Sequence, residues 1–357
     1  MPRPIRATIR LAALRRNFSV ARERAGGARI WSVLKANAYG HGLTRVAGAL
    51  ADLADGFAVL DLEEAVRLRE VGIRQPILLL EGFFEPGDMD VIAGHDLTAV
   101  IHCHEQIAML AAADLRGRIP VYLKFNSGMN RLGFKAGDFA AAHRRLSALP
   151  GVGPVGLMTH FAAADLEEGI AQPLAAFDRA RSGLAGPVSL ANSAALLRYP
   201  EARGDWVRPG IMLYGGSPFA QHEAQGLGLR PAMTLESRII AVQRLESGER
   251  VGYGGLFAAE RPTRIGVVAC GYADGYPRHA GSGTPILVEG QRTHTLGRIS
   301  MDMLVADLTG LPEAGVGSPV VLWGEGLPAD EVAAAAGTIS YELFCALAAR
   351  VRVAVEP

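Results

Sequence analysis

Residues 28–214 repeat one pattern: a short, nearly continuous apolar run, then a more polar stretch. The runs are "ARIWSVL" (28–34), "GFAVL" (56–60), "PILLL" (76–80), "TAVIH" (98–102), "PVYLKF" (120–125), "VGLMTH" (155–160), "VSLAN" (188–192) and "WVRPGIMLY" (206–214). Continuous rather than alternating apolarity marks strands covered on both faces, as in parallel sheets flanked by helices. Amphipathic segments such as "DLEEAVRLREVG" and "CHEQIAMLAAADLRG" lie between most runs and provide the crossovers. Eight such units predict an α/β fold, a closed (β/α)8 TIM-like barrel. A doubly wound open sheet is the alternative, but no GxGxxG follows a strand to support a dinucleotide fold.

The rhythm changes near residue 217. "SPFAQHEAQGLGLRP" reads as a linker, and alternating, turn-rich segments follow: "AMTLESRIIAVQRL", "TRIGVVACGY", "PILVEG", "MLVADL" and "SPVVLWGEG". These predict a mainly β domain, closed by the helix "YELFCALAARV" and a last strand. The expected division is a barrel over 1–228 and a β domain over 229–357, with the first ~10 residues pairing with the latter. A length of 357 residues suits two cores better than one. The 36 basic and 36 acidic residues cancel, so no overall field favours nucleic acid or a membrane surface. The basic stretch "LAALRRNFSVARERAGGAR" reads as a solvated helix face. Three cysteines, Cys103, Cys270 and Cys345, stand far apart with no CxxC and no closely spaced metal-ligand set, so no metal is expected. Reduced thiols and the lack of a signal-peptide or membrane-length apolar run point to a cytoplasmic protein whose mature chain is the whole chain. Cys270 and Cys345 are expected to be buried packing residues.

Among the 36 basic residues only three are lysines: Lys35, Lys124 and Lys135. A chain so biased toward arginine keeps lysine where a guanidinium cannot serve, and only an amine can form a Schiff base. Active sites of (β/α)8 barrels sit at the C-terminal ends of the strands. There the apolar runs are interrupted by Lys35, Lys124, His160, Asn192, Ser193 and Arg208. Phosphate sites in such barrels use the loops after strands seven and eight, here "NSA" (192–194) and "PGI" (209–211). Ser193 offers a hydroxyl, and Gly210 allows backbone N–H groups close approach to an anion. A Schiff-base lysine and a phosphate site on one rim suggest pyridoxal 5'-phosphate (PLP).

The stretches "VLKANAYGHG", "LKFNSGMNRLGF", "MTHFAAAD", "ANSAA", "VRPGIMLYG", "VGYGGLF", "GYADGYPR", "GRISMDM" and "TISYELFCAL" occur in this order. With them the chain closely resembles the alanine racemases, PLP enzymes, over essentially its whole length. The resemblance implies that Lys35 holds PLP through an imine and acts as one acid/base, with Tyr253 as the second. It places Tyr39, Asn192, Ser193, Gly210, Ile211 and Tyr341 around the cofactor and its phosphate, Arg208 at the pyridine nitrogen and His160 beside it. Arg131 and the backbone at Met301 would take the substrate carboxylate, while Tyr272 and Tyr341 narrow the pocket. It also implies a homodimer whose sites are shared, with Tyr253 and Met301 reaching across. Lys124, near Arg131, is expected to be carboxylated; the other reading is an unmodified lysine paired with a carboxylate or anion. Asn126 stands where many relatives have aspartate, and Ser300 where cysteine is common.

The expected reaction is interconversion of L- and D-alanine, for peptidoglycan synthesis or alanine catabolism. Alternatives are a racemase of serine or of a broader set of amino acids, and a PLP-binding protein without turnover. A barrel decarboxylase would be expected to set a carboxylate at the pyridine nitrogen, where "WVRPGI" has Arg208. His41 reads as a turn residue, and Asp165 as either a helix N-cap or a site residue.

Overall fold

The computed structural model describes residues 3–115, 117–220 and 224–357. The linker expected over 217–231 includes Gln221, His222 and Glu223, which lie outside the described residues. The chain divides into two compact units, one of residues 17–38 and 42–213, the other of residues 1–16, 39–41 and 214–357.

The first unit is the expected barrel. Strand β1 (Arg6–Arg10) belongs to the other unit, so the barrel begins with β2 (Arg29–Val33). It continues through β3 (Gly56–Val59), β4 (Ile77–Leu79), β5 (Leu97–Ile101), β6 (Ile119–Lys124), β7 (Val152–Met158), β8 (Val188–Ser189) and β9 (Trp206–Val207). Among the described residues these eight strands form a closed, all-parallel ring, sealed by the pairs Arg29↔Trp206 and Ile30↔Val207. Their residues are almost all buried, which is why the runs read as apolar without alternation. Helices return the chain between strands. In the one at Leu62–Glu70, Asp61 caps the first turn by accepting from the Glu63 N–H, and acidic residues lead while arginines close.

The last run is shorter than its apolarity suggests. The strand ends at Val207 because Pro209 has no N–H to donate, and residues 211–214 wind into a tight turn begun by the Leu213 N–H on the Gly210 carbonyl. Strand β8 likewise stops at Ser189, since Asn192 turns out to cap the helix Ser193–Arg198. Trp31 stacks on Trp206 with centroids 4.1 Å apart and meets Tyr122 edge-on at 6.4 Å. A Cβ at position 56 would lie 2.5 Å from the Trp31 ring, so glycine there makes room for it.

The second unit centres on β10 (Met233–Leu245). Its first half pairs with β1, and with β17 (Pro319–Trp323) on the other side. A register shift between Ile239 and Ala241 bends it, and its second half pairs with β13 (Thr263–Val268). Strands β14 (Pro285–Val288) and β15 (Gln291–His294) extend the sheet beyond β17, β16 (Leu304–Asp307) flanks β13, and β18 (Arg352–Glu356) lies parallel to β1. A separate short hairpin joins β11 (Arg250–Val251) to β12 (Phe257–Ala258). This unit takes in 214–220, 224–228 and the short piece 39–41: the rings of Tyr39 and His41 pack on Tyr214, and His41 meets Phe344 edge-on.

Candidate active site

The strand ends of the barrel gather cations. Lys35 follows β2 and begins a turn in which Ala36, Asn37, Ala38 and Tyr39 all carry φ of 50–55°. The left-handed turn is pinned by four hydrogen bonds. The Ala38 N–H donates to Leu34 O at 2.7 Å, Gly42 N–H to Asn37 O at 2.9 Å, Leu43 N–H to Asn37 Oδ1 at 2.8 Å and Asn37 N–H to Glu64 Oε1 at 2.9 Å.

Lys124 ends β6 and is buried. Burial first, then the charges of Arg208, Arg131 and Lys35, push its amine down to about 8, with Glu81 opposing. His160 is pushed well below the ordinary histidine range by burial, Arg208, Lys124, Arg131 and Lys35, so its imidazole is neutral at neutral pH. Lys124, Arg131 and His160 line one small cavity together with Asn126 and Ser127. Five of the expected site residues thus share one electrostatic neighbourhood, and Lys135, the third lysine, is on the surface.

Arg208 is buried, and burial pushes its guanidinium down to about 10, leaving it charged at neutral pH. Its Nη1 donates to Ser189 Oγ at 2.7 Å, and its Nη2 to Thr159 O at 2.7 Å and Leu190 O at 3.0 Å. All three partners are neutral. The loops after β8 and β9 meet where Gly210 N–H donates to Ser193 Oγ at 2.9 Å, with Ile211 next in sequence. Asn192 Oδ1 accepts from Ala195 N–H at 2.9 Å and its Nδ2 donates to Phe161 O at 3.3 Å, so its side chain is engaged in capping.

In the second unit, Tyr39 stacks on Tyr214 at 4.6 Å and lies 6.0 Å from Tyr341 at a tilt. Burial, then Tyr341 and Cys345, raise the Tyr39 phenol, which stays an O–H donor. Tyr272 and Met301 sit on adjoining loops: Tyr272 N–H donates to Ser300 O at 3.1 Å and Ala273 N–H to Met301 O at 3.0 Å. Tyr253, on a glycine-rich turn, is 72% exposed.

Several smaller expectations change. Asp165 lies in an exposed turn with no helix starting there, and Cys345 is exposed because it ends a short surface helix, whereas Cys270 is buried. His41 is a fully buried turn residue whose Nδ1 meets Tyr39 O at 2.8 Å. Sequence reasoning missed the residues that hold the site residues: Thr159 and Ser189 on Arg208, Glu64 on the Lys35 turn, and Glu81 and His102 beside Lys124. Their signal was polar chemistry inside or just after an apolar run.

Fold and cationic rim together define a barrel enzyme with a second, mainly β domain. The family model "Alanine racemase, N-terminal domain" matches residues 9–218, and "Alanine racemase, C-terminal domain" matches 232–355. Curated alanine racemases from Bordetella petrii and Ralstonia pickettii are 58% and 56% identical, covering 99% and 100% of this chain and 99% and 96% of their own lengths. The crystal structure of the biosynthetic alanine racemase from Pseudomonas aeruginosa superposes with a TM-score of 0.98 at 49% identity, covering 99% of this chain and all of that one. That of alanine racemase from Acinetobacter baumannii gives 0.93 at 37%, with the same coverage. The chain belongs to the alanine racemase family and is an amino-acid racemase.

Proposed function

We propose that the chain interconverts L-alanine and D-alanine with PLP, by two acid/base groups, Lys35 and Tyr253. The observation that most supports this is Arg208, a buried cation whose hydrogen-bond partners are all neutral. The rim fits PLP on three counts: a lysine at a strand end, the meeting of Ser193 Oγ with the Gly210 N–H, and buried positive charge suited to a phosphate-bearing anion. When bound, the cofactor withdraws electrons from the substrate and acidifies its Cα–H.

Lys35 would hold the cofactor covalently and move the proton on one face of Cα, and Tyr253 would serve the other face. Tyr39, Tyr341, Ser193, Gly210 and Ile211 would surround the phosphate, and Asn192, at the cap of the helix that carries Ser193, would lie beside the cofactor. Arg208 keeps its own proton, so it can only donate to the pyridine nitrogen. Arg208 would thereby leave that nitrogen unprotonated, which would limit electron withdrawal into the ring and favour return of the proton to Cα. Neutral His160 would pack beside the ring without adding charge. Arg131 and the backbone at Met301 would take the carboxylate, and Tyr272 would narrow the way in.

We infer that the neutral Lys124 amine adds carbon dioxide, forming its N–C bond and releasing a proton, to give a carbamate. With a pKa of about 8, some half of the amine is uncharged and nucleophilic near that pH, and the product would place a negative charge next to Arg131. A homodimer is the assembly we infer, since Tyr253, Leu256, Met301 and Met303 are large side chains left exposed in the single chain. The three cysteines form no disulfide, which fits a reducing cytoplasm, and no described helix is long and apolar enough to cross a membrane. Its product would feed peptidoglycan, or its reverse reaction alanine breakdown.

The test is incubation with PLP and L-alanine, or L-serine, in deuterated water, read by chiral chromatography and proton NMR. D-alanine carrying deuterium at Cα, with little D-serine, is the expected result. Exchange without D-product would remove Tyr253 as the second base, and a yellow protein without exchange would mean cofactor binding without turnover.

A further inference from the structure

Strands β1 and β18 run parallel in the register Arg6↔Arg352. This pairing brings the residues just ahead of each strand, Arg3 and Arg350, to the same edge of the sheet. Both arginines reach the same two carboxylates. Arg3 Nη2 donates to Asp274 Oδ2 at 3.1 Å and Arg3 Nη1 to Asp302 Oδ1 at 3.0 Å. Arg350 Nε donates to Asp274 Oδ1 at 2.7 Å and Arg350 Nη2 to Asp302 Oδ1 at 2.7 Å. The result is a closed ring of two cations, one from near each end of the chain, and two anions from the loops at 274 and 302.

The two aspartates sit beside residues already placed at the substrate. Asp274 lies two positions after Tyr272, and Asp302 directly follows Met301. Asp274 is completely buried, and its Oδ2 also accepts from Gly271 N–H at 3.0 Å. A buried carboxylate needs such a set of donors, because losing one leaves charge without compensation. The loops themselves are in contact: a Cβ at position 271 would lie 2.3 Å from Ser300 O and 2.4 Å from Met301 O. Only glycine lets them approach so far. Arg350 first, with Arg3 in support, holds the Asp302 carboxyl below the usual carboxylate range.

We propose that Arg3, Arg350, Asp274 and Asp302 are positioning residues that set the spacing between Tyr272 and Met301, and so the fit of the pocket to a small amino acid. This rests on the alanine racemase reading of the site. None of the four moves a proton of the substrate. Their effect should therefore fall on substrate capture and size selection. The guanidinium forks suit the task, since each arginine bridges two carboxylates with separate N–H groups, which a lysine cannot do in the same plane.

The experiment compares Asp302→Asn, Arg350→Met and Arg350→Lys in the full-length holoenzyme, along with the Asp302→Asn/Arg350→Met double variant. Measured are kcat and KM for L-alanine, the ratio of kcat/KM for alanine over serine, and the cofactor absorbance. Each single loss is expected to raise KM about tenfold with kcat within about twofold, and to lower the alanine-to-serine ratio several-fold. Arg350→Lys should fall between, and the double variant should be no worse than about the larger single effect. A lower melting temperature with unchanged KM and unchanged selectivity would make the ring a structural staple and overturn the proposal. So would a fall in kcat alone. Asp302 and the arginines are partly exposed, so these variants test the idea even where Asp274→Asn fails to fold. If the unaltered protein fails to racemise alanine, the proposed function falls instead, and the two failures are distinct.

Discussion

At the scale of single residues, the burial of charge sets what the site can do. Arg208 holds three neutral acceptors, two of them backbone carbonyls. Arg208→Glu removes those donors and buries an anion, so stability should fall by several kcal/mol, about 3 or more. The chemical consequence is separable from that loss. A carboxylate at the pyridine nitrogen would hold it protonated, and side transamination should rise about tenfold relative to racemisation. The ratio of pyruvate to D-alanine per turnover reads this independently of how much protein is folded, and an unchanged ratio would refute the role given to Arg208. Lys124 makes a different prediction. Its amine stands near 8 in the folded chain against ~10.4 unfolded, so the unfolded chain binds the proton more tightly. The folded state therefore carries a penalty below about pH 8 that fades as pH rises toward ~10.4, and stability increases through that window by up to ~3 kcal/mol. Urea titrations in carbon-dioxide-free buffer should show that rise in the unaltered chain and lose it in Lys124→Met. Parallel curves would mean that burial does not lower the Lys124 amine in the folded chain. Lys35 and Lys124 were legible in the sequence because lysine is rare in this chain, whereas Thr159 and Ser189, which fix Arg208, are ordinary residues whose role exists only once β7 and β8 lie side by side.

At the scale of elements, the barrel was readable because burial on both faces leaves an unbroken apolar record, and the eight runs became the eight strands. Apolarity says less about where a strand stops: "IMLY" after Pro209 is as apolar as a strand but winds into a turn under Gly210. The turn after Lys35 was not readable at all. Left-handed residues are ordinarily glycine or asparagine, and here alanine, alanine and tyrosine adopt φ near 50°. Each costs ~1–2 kcal/mol, a strain that persists only because the bonds to Leu34, Glu64 and Asn37 over-determine it. Ala36 is exposed, so Ala36→Gly should relieve strain without opening a cavity and stabilise by ~0.5–1 kcal/mol. Asn37→Ala loses both the left-handed tolerance and the acceptor for the Leu43 N–H, and should destabilise by ~1–2 kcal/mol. Thermal unfolding of the two variants should therefore shift in opposite directions. A lower melting point for Ala36→Gly would show that the turn is not strained.

At the scale of the whole molecule, the two bases proposed for one reaction lie in different compact units, Lys35 in the barrel and Tyr253 in the β unit. Tyr253 is 72% exposed, Leu256 65% and Met301 53%, large side chains left open in the single chain. If this surface meets a second copy, each site takes Lys35 from one chain and Tyr253 from the other. A two-fold axis then makes two such sites per dimer. That arrangement has a consequence no single-chain site shares. Lys35→Ala alone and Tyr253→Phe alone each spoil both sites of their homodimers. A mixed dimer of the two has one site with both defects and one with neither. Random re-pairing makes about half the dimers mixed, so about a quarter of all sites, and of the activity, should return on mixing the two inactive proteins under conditions that exchange subunits. The recovered activity should appear with the time course of exchange, followed by native mass spectrometry of isotopically labelled chains. Mixed dimers that form yet stay inactive would place Lys35 and Tyr253 of one site on the same chain.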